Sequence, residues 1–137
     1  MRKMGWILVA VVLALAVDAS AQVDTAWVRT SGHGAAEDVR VDKSGNVYAC
    51  GYLQQPDWRY DFLIRKYSLA GDPLWERTYD GGIDDDYGSF LELDSIGGVY
   101  VAGWLNGDYP GVDTDAGLVK YDSSGNLEWT YAYRGGD

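Results

Sequence analysis

The chain has 137 residues, 14% of them aromatic, and a formal net charge of −10 at pH 7. A chain this acidic is not drawn to nucleic acid or to anionic membranes, so neither is an expected partner. Cys50 is the single cysteine, so the chain cannot form an intramolecular disulfide. His33 is the single histidine, so a metal site with several histidines is excluded and a Ser-His-Asp catalytic triad is not expected. We therefore expect a protein that is not an enzyme and that is stabilised by packing.

The first 21 residues have the pattern of a secretory signal peptide. A charged start precedes an apolar run over residues 6–17, which is too short to span a bilayer, and small residues follow at 19–21. We expect cleavage before Gln22 and a mature protein that is secreted, periplasmic or on the cell surface.

Residues 24–31 predict a solitary strand at the start of the mature chain. Trp27 and Thr30 in this segment recur as Trp75 and Thr78 in a later predicted strand. Since no neighbouring strands precede it, this segment is expected to be an orphan outer strand that completes a sheet formed by other residues.

The rest of the chain contains two copies of one unit. The phrase "RVDKSGNVYACGYL" at 40–53 returns as "ELDSIGGVYVAGWL" at 92–105, and residues 67–79 return at 121–133. A period near fifty residues is typical of repeat architectures. Each copy has tight turns in which glycine supplies a positive φ. The predicted structural turn residues are Gly45, Gly71, Gly97 and Gly125.

These patterns predict an all-β fold made of four-stranded antiparallel units. In the first unit, residues 38–80, strands are expected at about 38–42, 46–53, 61–67 and 73–79. In the second unit, residues 89–134, they are expected at about 89–94, 98–105, 116–122 and 127–133. Units of this kind are typical of β-propeller blades. Trp27, Trp75 and Trp129 are then expected to pack between blades.

Two blades and an orphan strand do not complete a propeller, because rings of this type have about four to eight blades. We expect residues 22–137 to be a partial propeller, most simply the N-terminal part of a longer ring. The alternative is a short protomer that closes a ring by self-association. The expected partners are accordingly further blades or other copies of the chain.

The segment "DFLIRKYSLAGDPLWERTYDGGIDDDYGSFLELDSIGGVYVAGW" at 61–104 resembles the secreted bacterial beta-propeller repeat (SBBP repeat) family. The matching residues are Asp61, Phe62, Lys66, Tyr67, Gly71, Trp75, Gly81, Gly82, Asp94, Gly97, Val99, Tyr100 and Gly103, and in the second copy Asp115, Lys120, Tyr121, Gly125 and Trp129. The second copy departs at Ala116-Gly117, where Asp-Phe is usual. The resemblance implies an extracellular scaffold or binding surface without a shared chemistry.

The phrase "KYDSSGNLEW" at 120–129 is also similar to the tryptophan-docking repeat of quinoprotein (PQQ-type) dehydrogenases. This similarity keeps open an alternative function, a fragment of a quinoprotein-like propeller enzyme. The chain lacks the adjacent cysteine pair and the axial cofactor ligands of that class, so no cofactor of this kind is expected.

Candidate ligand-binding residues lie in loops that differ between the two copies. These loops, 54–61, 80–88 and 106–115, fall at one end of the predicted strands and place aromatic residues beside carboxylates. Such surfaces suit carbohydrate or peptide ligands. The predicted ligand-binding residues are Trp58, Tyr60, Tyr87 and Tyr109. The alternative is that these are solvated loops whose aspartates cap turns.

Calcium is the one metal that the loops favour, because they supply hard oxygen ligands at short spacing. The candidate ligands are Asp84, Asp85, Asp86, Asp113 and Asp115. Neither group matches the twelve-residue calcium loop, which ends in a bidentate glutamate. A calcium-stabilised surface adhesion module is therefore a further alternative, against turn capping or plain solvation.

Overall fold

The computed structural model describes residues 33–82, 84–105 and 115–133. These residues form two four-stranded antiparallel sheets in which consecutive strands pair, and they contain no helix. The predicted all-β class and the two sets of four strands are confirmed. The predicted signal peptide, the predicted orphan strand with Trp27, and the predicted loop with Tyr109 and Asp113 lie outside the described residues. Within the described residues no helix is long and apolar enough to cross a membrane.

The strand bounds follow the sequence pattern closely. Sheet 1 contains β1 (Gly34–Val41), β2 (Val47–Gln54), β3 (Tyr60–Tyr67) and β4 (Pro73–Tyr79). Sheet 2 contains β5 (Tyr87–Leu93), β6 (Val99–Leu105), β7 (Asp115–Tyr121) and β8 (Leu127–Tyr133). Glycine turns follow β1, β3, β5 and β7. Burial alternates along β7, as in a sheet with one buried face, whereas β3 buries the consecutive residues Phe62, Leu63 and Ile64.

β1 departs most from expectation, because it begins at Gly34 and not near residue 38. Beyond a register shift between Ala36 and Asp38, Gly34 pairs with Leu53. Glycine and alanine are weak strand formers, so the sequence does not mark this extension. It exists because β2 is long enough to pair with it, and the Gln54 N–H donates to the His33 carbonyl at 2.7 Å.

Four hairpin turns share one backbone geometry. In the β1–β2 turn, the Gly45 N–H donates to the Asp42 carbonyl and the Asp42 N–H donates to the Asn46 carbonyl, both at 3.0 Å. The glycine has a φ of 81°, which L-residues rarely adopt. Equivalent glycines close the other three turns at φ values of 84° (Gly71), 90° (Gly97) and 80° (Gly125).

The hydrophobic core lies between the two sheets. β5 contacts β1, β2 and β3, so the first strand of sheet 2 lies across sheet 1. Phe62 is fully buried and fills space that sheet 2 leaves open at Gly103, where an added Cβ would lie 2.9 Å from the phenyl ring. The core residues are Tyr48, Cys50, Phe62 and Ile64 from sheet 1 and Leu91, Val99, Val101, Leu105, Val119 and Tyr121 from sheet 2.

Cys50 is a core residue and carries no sign of reactivity. Its side chain is 2% exposed, and burial raises the pKa of the thiol to about 12. Because the thiolate is the reactive form, this cysteine is inert at neutral pH. Ala102 takes the equivalent place in sheet 2, where it lies opposite Phe90.

The two sheets differ in what covers equivalent faces. The face of sheet 1 that carries Tyr48, Ile64 and Trp75 packs on sheet 2. The equivalent face of sheet 2, which we call the outer face, points away from sheet 1 and exposes five aromatic side chains. They are Phe90 (67% exposed), Trp104 (52%), Trp129 (41%), Tyr131 (62%) and Tyr133 (60%).

Candidate ligand-binding hairpin and acidic cluster

Trp58 lies in the β2–β3 turn at the position equivalent to the glycine of the four glycine turns. The Trp58 N–H donates to the Gln55 carbonyl at 3.0 Å, and the Gln55 N–H donates to the Arg59 carbonyl at 2.7 Å. The same pair of hydrogen bonds closes the turn at Gly45. Trp58 has a φ of 73° and is the only positive-φ residue other than glycine in the described part of the chain.

The backbone of Trp58 is strained, and the fold gains little packing from its side chain. A bulky residue at positive φ costs about 1–3 kcal/mol relative to a relaxed conformation. The side chain is 79% exposed, so burial does not offset this cost. Residues with strained backbones cluster at binding and active sites. Trp58 is therefore a candidate contact residue.

Arg59 ties the hairpin to the neighbouring loop between β4 and β5. Its Nε lies 2.7 Å from a carboxylate oxygen of Asp57, and its guanidinium donates to the Gly82 carbonyl at 3.1 Å. The hydrogen bond with Arg59 holds the pKa of Asp57 below its ordinary value. A further link joins the Tyr60 N–H to the Asp85 carboxylate at 2.8 Å. Both links therefore hold the Trp58 hairpin against the β4–β5 loop.

Three tyrosines pack together at the base of this hairpin. Tyr52 meets Tyr60 and Tyr87 edge to face, with centroid distances of 5.3 and 4.9 Å, and Tyr60 lies 5.8 Å from Tyr87. All three are half-buried, and the Tyr87 hydroxyl donates to Asp85 at 3.1 Å. The predicted ligand-binding residues Tyr60 and Tyr87 thus support the hairpin, while Trp58 is the exposed one. Tyr52 was not predicted, because it lies within a strand.

Three aspartates converge beside the hairpin. Carboxylate oxygens of Asp61, Asp80 and Asp86 lie within 4.8 Å of one another. Asp86 is fully buried and accepts a hydrogen bond from the Gly81 N–H. Burial, and then the charges of Asp80 and Asp86, raise the pKa of Asp61 to about 6. Oxygen ligands at this spacing suit a hard cation such as calcium.

This acidic cluster shares only Asp86 with the predicted calcium ligands. Asp85 uses its carboxylate for Tyr60 and Tyr87. Asp84 accepts from the Asp85 N–H, while its Oδ2 is buried without a hydrogen-bond partner among the described residues. Asp115 begins β7 opposite Leu105 and is 7% exposed, so it lies in a strand and not in a loop.

The tryptophans predicted to pack between units lie in different surroundings. Trp75 donates from Nε1 to the Ser123 carbonyl at 3.3 Å and covers Gly125, where an added Cβ would lie 2.9 Å from its ring. It therefore packs sheet 1 onto the last turn of sheet 2. Trp129 meets Tyr100 edge to face at 6.1 Å and is 41% exposed.

A cleft opens at the opposite end of the sheets, between the β1–β2 and β5–β6 turns. Its lining mixes charged and hydroxyl side chains, including Lys43, Lys66, Asp94 and Ser123. The Lys66 ammonium donates to the Ser123 carbonyl at 3.2 Å and lies 4.9 Å from the centroid of the Tyr48 ring. Lys66 thus joins the two sheets at this end.

Comparison with known proteins gives no matching family model and no matching curated relative. The placement of Trp58, the tyrosines and the acidic cluster is therefore the basis for the functional proposal.

Proposed function

We propose that the chain is a secreted, non-catalytic binding module on a propeller-type scaffold, and that the Trp58 hairpin contacts the ligand. The observation that carries this proposal is that Trp58 has an exposed indole on a strained backbone. Four other turns have glycine at the position equivalent to Trp58, and glycine adopts a positive φ without strain. Glycine would therefore stabilise the β2–β3 turn more than tryptophan does. A tryptophan kept at this cost, and braced by Arg59, is pre-organised to contact a partner.

The substitution Trp58→Gly tests the binding part of this proposal. Glycine fits the turn without strain, so the variant loses the indole and keeps the fold. Arrays of carbohydrates and of peptides would be probed with the parent protein and with the variant. We expect the parent protein to bind members of one class and the variant to lose that binding. Trp104→Ala, which removes an exposed indole from the outer face of sheet 2, is the matched control.

The scaffold part of the proposal is that the two sheets are consecutive blades of a ring. Its support is the repeat itself: the face of sheet 1 that packs on sheet 2 has its equivalent in the exposed outer face. A third unit can be appended by duplicating residues 84–133. We expect Trp129→Ala to cost more unfolding free energy in the extended protein than in the original, because a third sheet would cover Trp129. Equal costs would contradict the blade arrangement.

Secretion is part of the proposal and rests on residues 1–21, whose pattern is that of a signal peptide. The intact mass of the protein exported by its native host provides the test. An N-terminus at Gln22 is expected, and a retained Met1 would contradict it.

A calcium-stabilised adhesion module is a second candidate function. The observation in its favour is the cluster of Asp61, Asp80 and Asp86. Asp84, in the same β4–β5 loop, also has a buried Oδ2 with no hydrogen-bond partner among the described residues. Calcium should then raise the melting temperature of the parent protein and leave Asp61→Asn unchanged. Isothermal titration without heat, together with an unchanged melting temperature, would exclude this candidate.

A further inference from the structure

We infer that the ligand of the Trp58 hairpin is cationic, namely an arginine- or lysine-rich peptide segment of a partner protein. This inference rests on the proposed function, because it names the ligand class of the same hairpin. Its support comes from the charge around the hairpin, from the chemistry of the exposed ring, and from the pre-organisation of the loop.

Carboxylates outnumber cations around Trp58. Residues 54–62, 80–82 and 84–87 contain one cationic side chain, Arg59, and it is already engaged by Asp57 and the Gly82 carbonyl. The same residues contain six aspartates: Asp57, Asp61, Asp80, Asp84, Asp85 and Asp86. Asp57 and Asp80 are exposed, Asp61, Asp84 and Asp85 are partly exposed, and Asp86 is buried. The accessible carboxylates still outnumber the single cation, and such an excess concentrates positively charged ligands and speeds their association.

The exposed indole suits a cation more than it suits other groups. Tryptophan has the aromatic face that attracts ammonium and guanidinium groups most strongly, and neighbouring carboxylates add to the attraction. The protein uses such contacts internally, with Arg77 5.8 Å from the Trp75 ring and Lys120 5.2 Å from the Tyr100 ring. At Trp58 the ring is 79% exposed, so an external cation can reach it.

A neutral sugar would stack on the indole and leave the crowding of negative charge in place. Burial, and then the charges of Asp80 and Asp86, raise the pKa of Asp61 to about 6, so its surroundings disfavour the ionised form of Asp61. A guanidinium or ammonium group bound at the hairpin would reduce the repulsion among these carboxylates. The arrangement therefore favours a basic peptide over a neutral oligosaccharide.

Fluorescence anisotropy of labelled hexa-arginine and hexa-lysine peptides provides the test. The full chain would be titrated as parent protein, Trp58→Gly, Trp58→Phe and Trp104→Ala. We expect Trp58→Gly to bind about tenfold more weakly, the size of a favourable cation–aromatic contact, and Trp58→Phe to lose less. Trp104→Ala should bind as the parent protein does, and added salt should weaken every interaction.

Three outcomes would overturn the inference. Equal peptide affinities for the parent protein and Trp58→Gly would mean that the acidic chain attracts cations without using the ring. Trp58-dependent binding of a neutral oligosaccharide, with no binding of the basic peptides, would reject the cationic ligand and retain the proposed function. The absence of Trp58-dependent binding across both the peptides and the oligosaccharides would reject both.

Discussion

The two ends of the sheets use the same backbone turn for different purposes. At one end, four turns have glycine at positive φ, and at the other end the β2–β3 turn has Trp58 with the same hydrogen bonds. Among the glycine turns, that of Gly125 contacts the neighbouring sheet beneath Trp75, whereas the Trp58 side chain extends into solvent. One end is suited to stability, and the other gives up some stability to expose an aromatic ring.

Gly125→Ala should give the largest effect at the glycine end. Alanine at a φ of 80° costs about 1 kcal/mol, and its Cβ would lie 2.9 Å from the Trp75 ring, so we expect a total loss of about 2–3 kcal/mol. Urea unfolding measures this loss. Gly45→Ala is the control, because its Cβ would meet only the flexible Leu69 side chain, at 3.0 Å. Equal losses in the two variants would mean that Trp75 does not press on Gly125.

Trp58→Gly should have the opposite sign at the other end. Glycine relieves the strain at φ 73°, so we expect a stabilisation of about 1 kcal/mol, reduced by the greater flexibility of glycine in the unfolded chain. Thermal and urea unfolding measure the change. A destabilisation above 1 kcal/mol would show that the indole contributes to folding, and it would remove the main support for a binding role.

Arg59→Ala should have a smaller effect on stability. Its ion pair with Asp57 is on the surface, and such pairs contribute little to stability. Hydrogen exchange should nevertheless speed up at Trp58 and Gly82, because the guanidinium no longer ties the hairpin to the β4–β5 loop. Arg65→Ala, which removes the pair with Glu76 in sheet 1, is a control that should leave exchange at Trp58 unchanged.

The acidic cluster adds a pH dependence to this end of the molecule. Since the pKa of Asp61 is about 6 in the folded protein and lower in the unfolded chain, the folded state binds more protons between these values. Stability should therefore fall as pH rises from about 4 to about 6. Asp61→Asn should raise the melting temperature at pH 7.5 by more than at pH 4. Asp57→Asn, whose pKa shift is downward, should show no such gain.

The strands could be predicted because repetition and alternation are local signals. The second copy confirmed each strand of the first, and glycine marked the turns. The β1 extension was missed because its residues have no strand preference of their own and pair only with a long partner. The acidic cluster was missed because Asp61, Asp80 and Asp86 come from one strand and one loop that only folding brings together.

The sequence by itself determined the all-β class, the two copies and the glycine turns, because hydrophobic period and turn chemistry act over a few neighbouring residues. The tertiary structure decided which tryptophan is covered. Trp75 and Trp129 have the same place in the repeat, and only Trp75 has a following sheet packed on it in the described residues. It also decided that Trp58 adopts the left-handed conformation. The closure of the hairpin imposes that φ, and the local sequence does not predict it because tryptophan has no preference for positive φ.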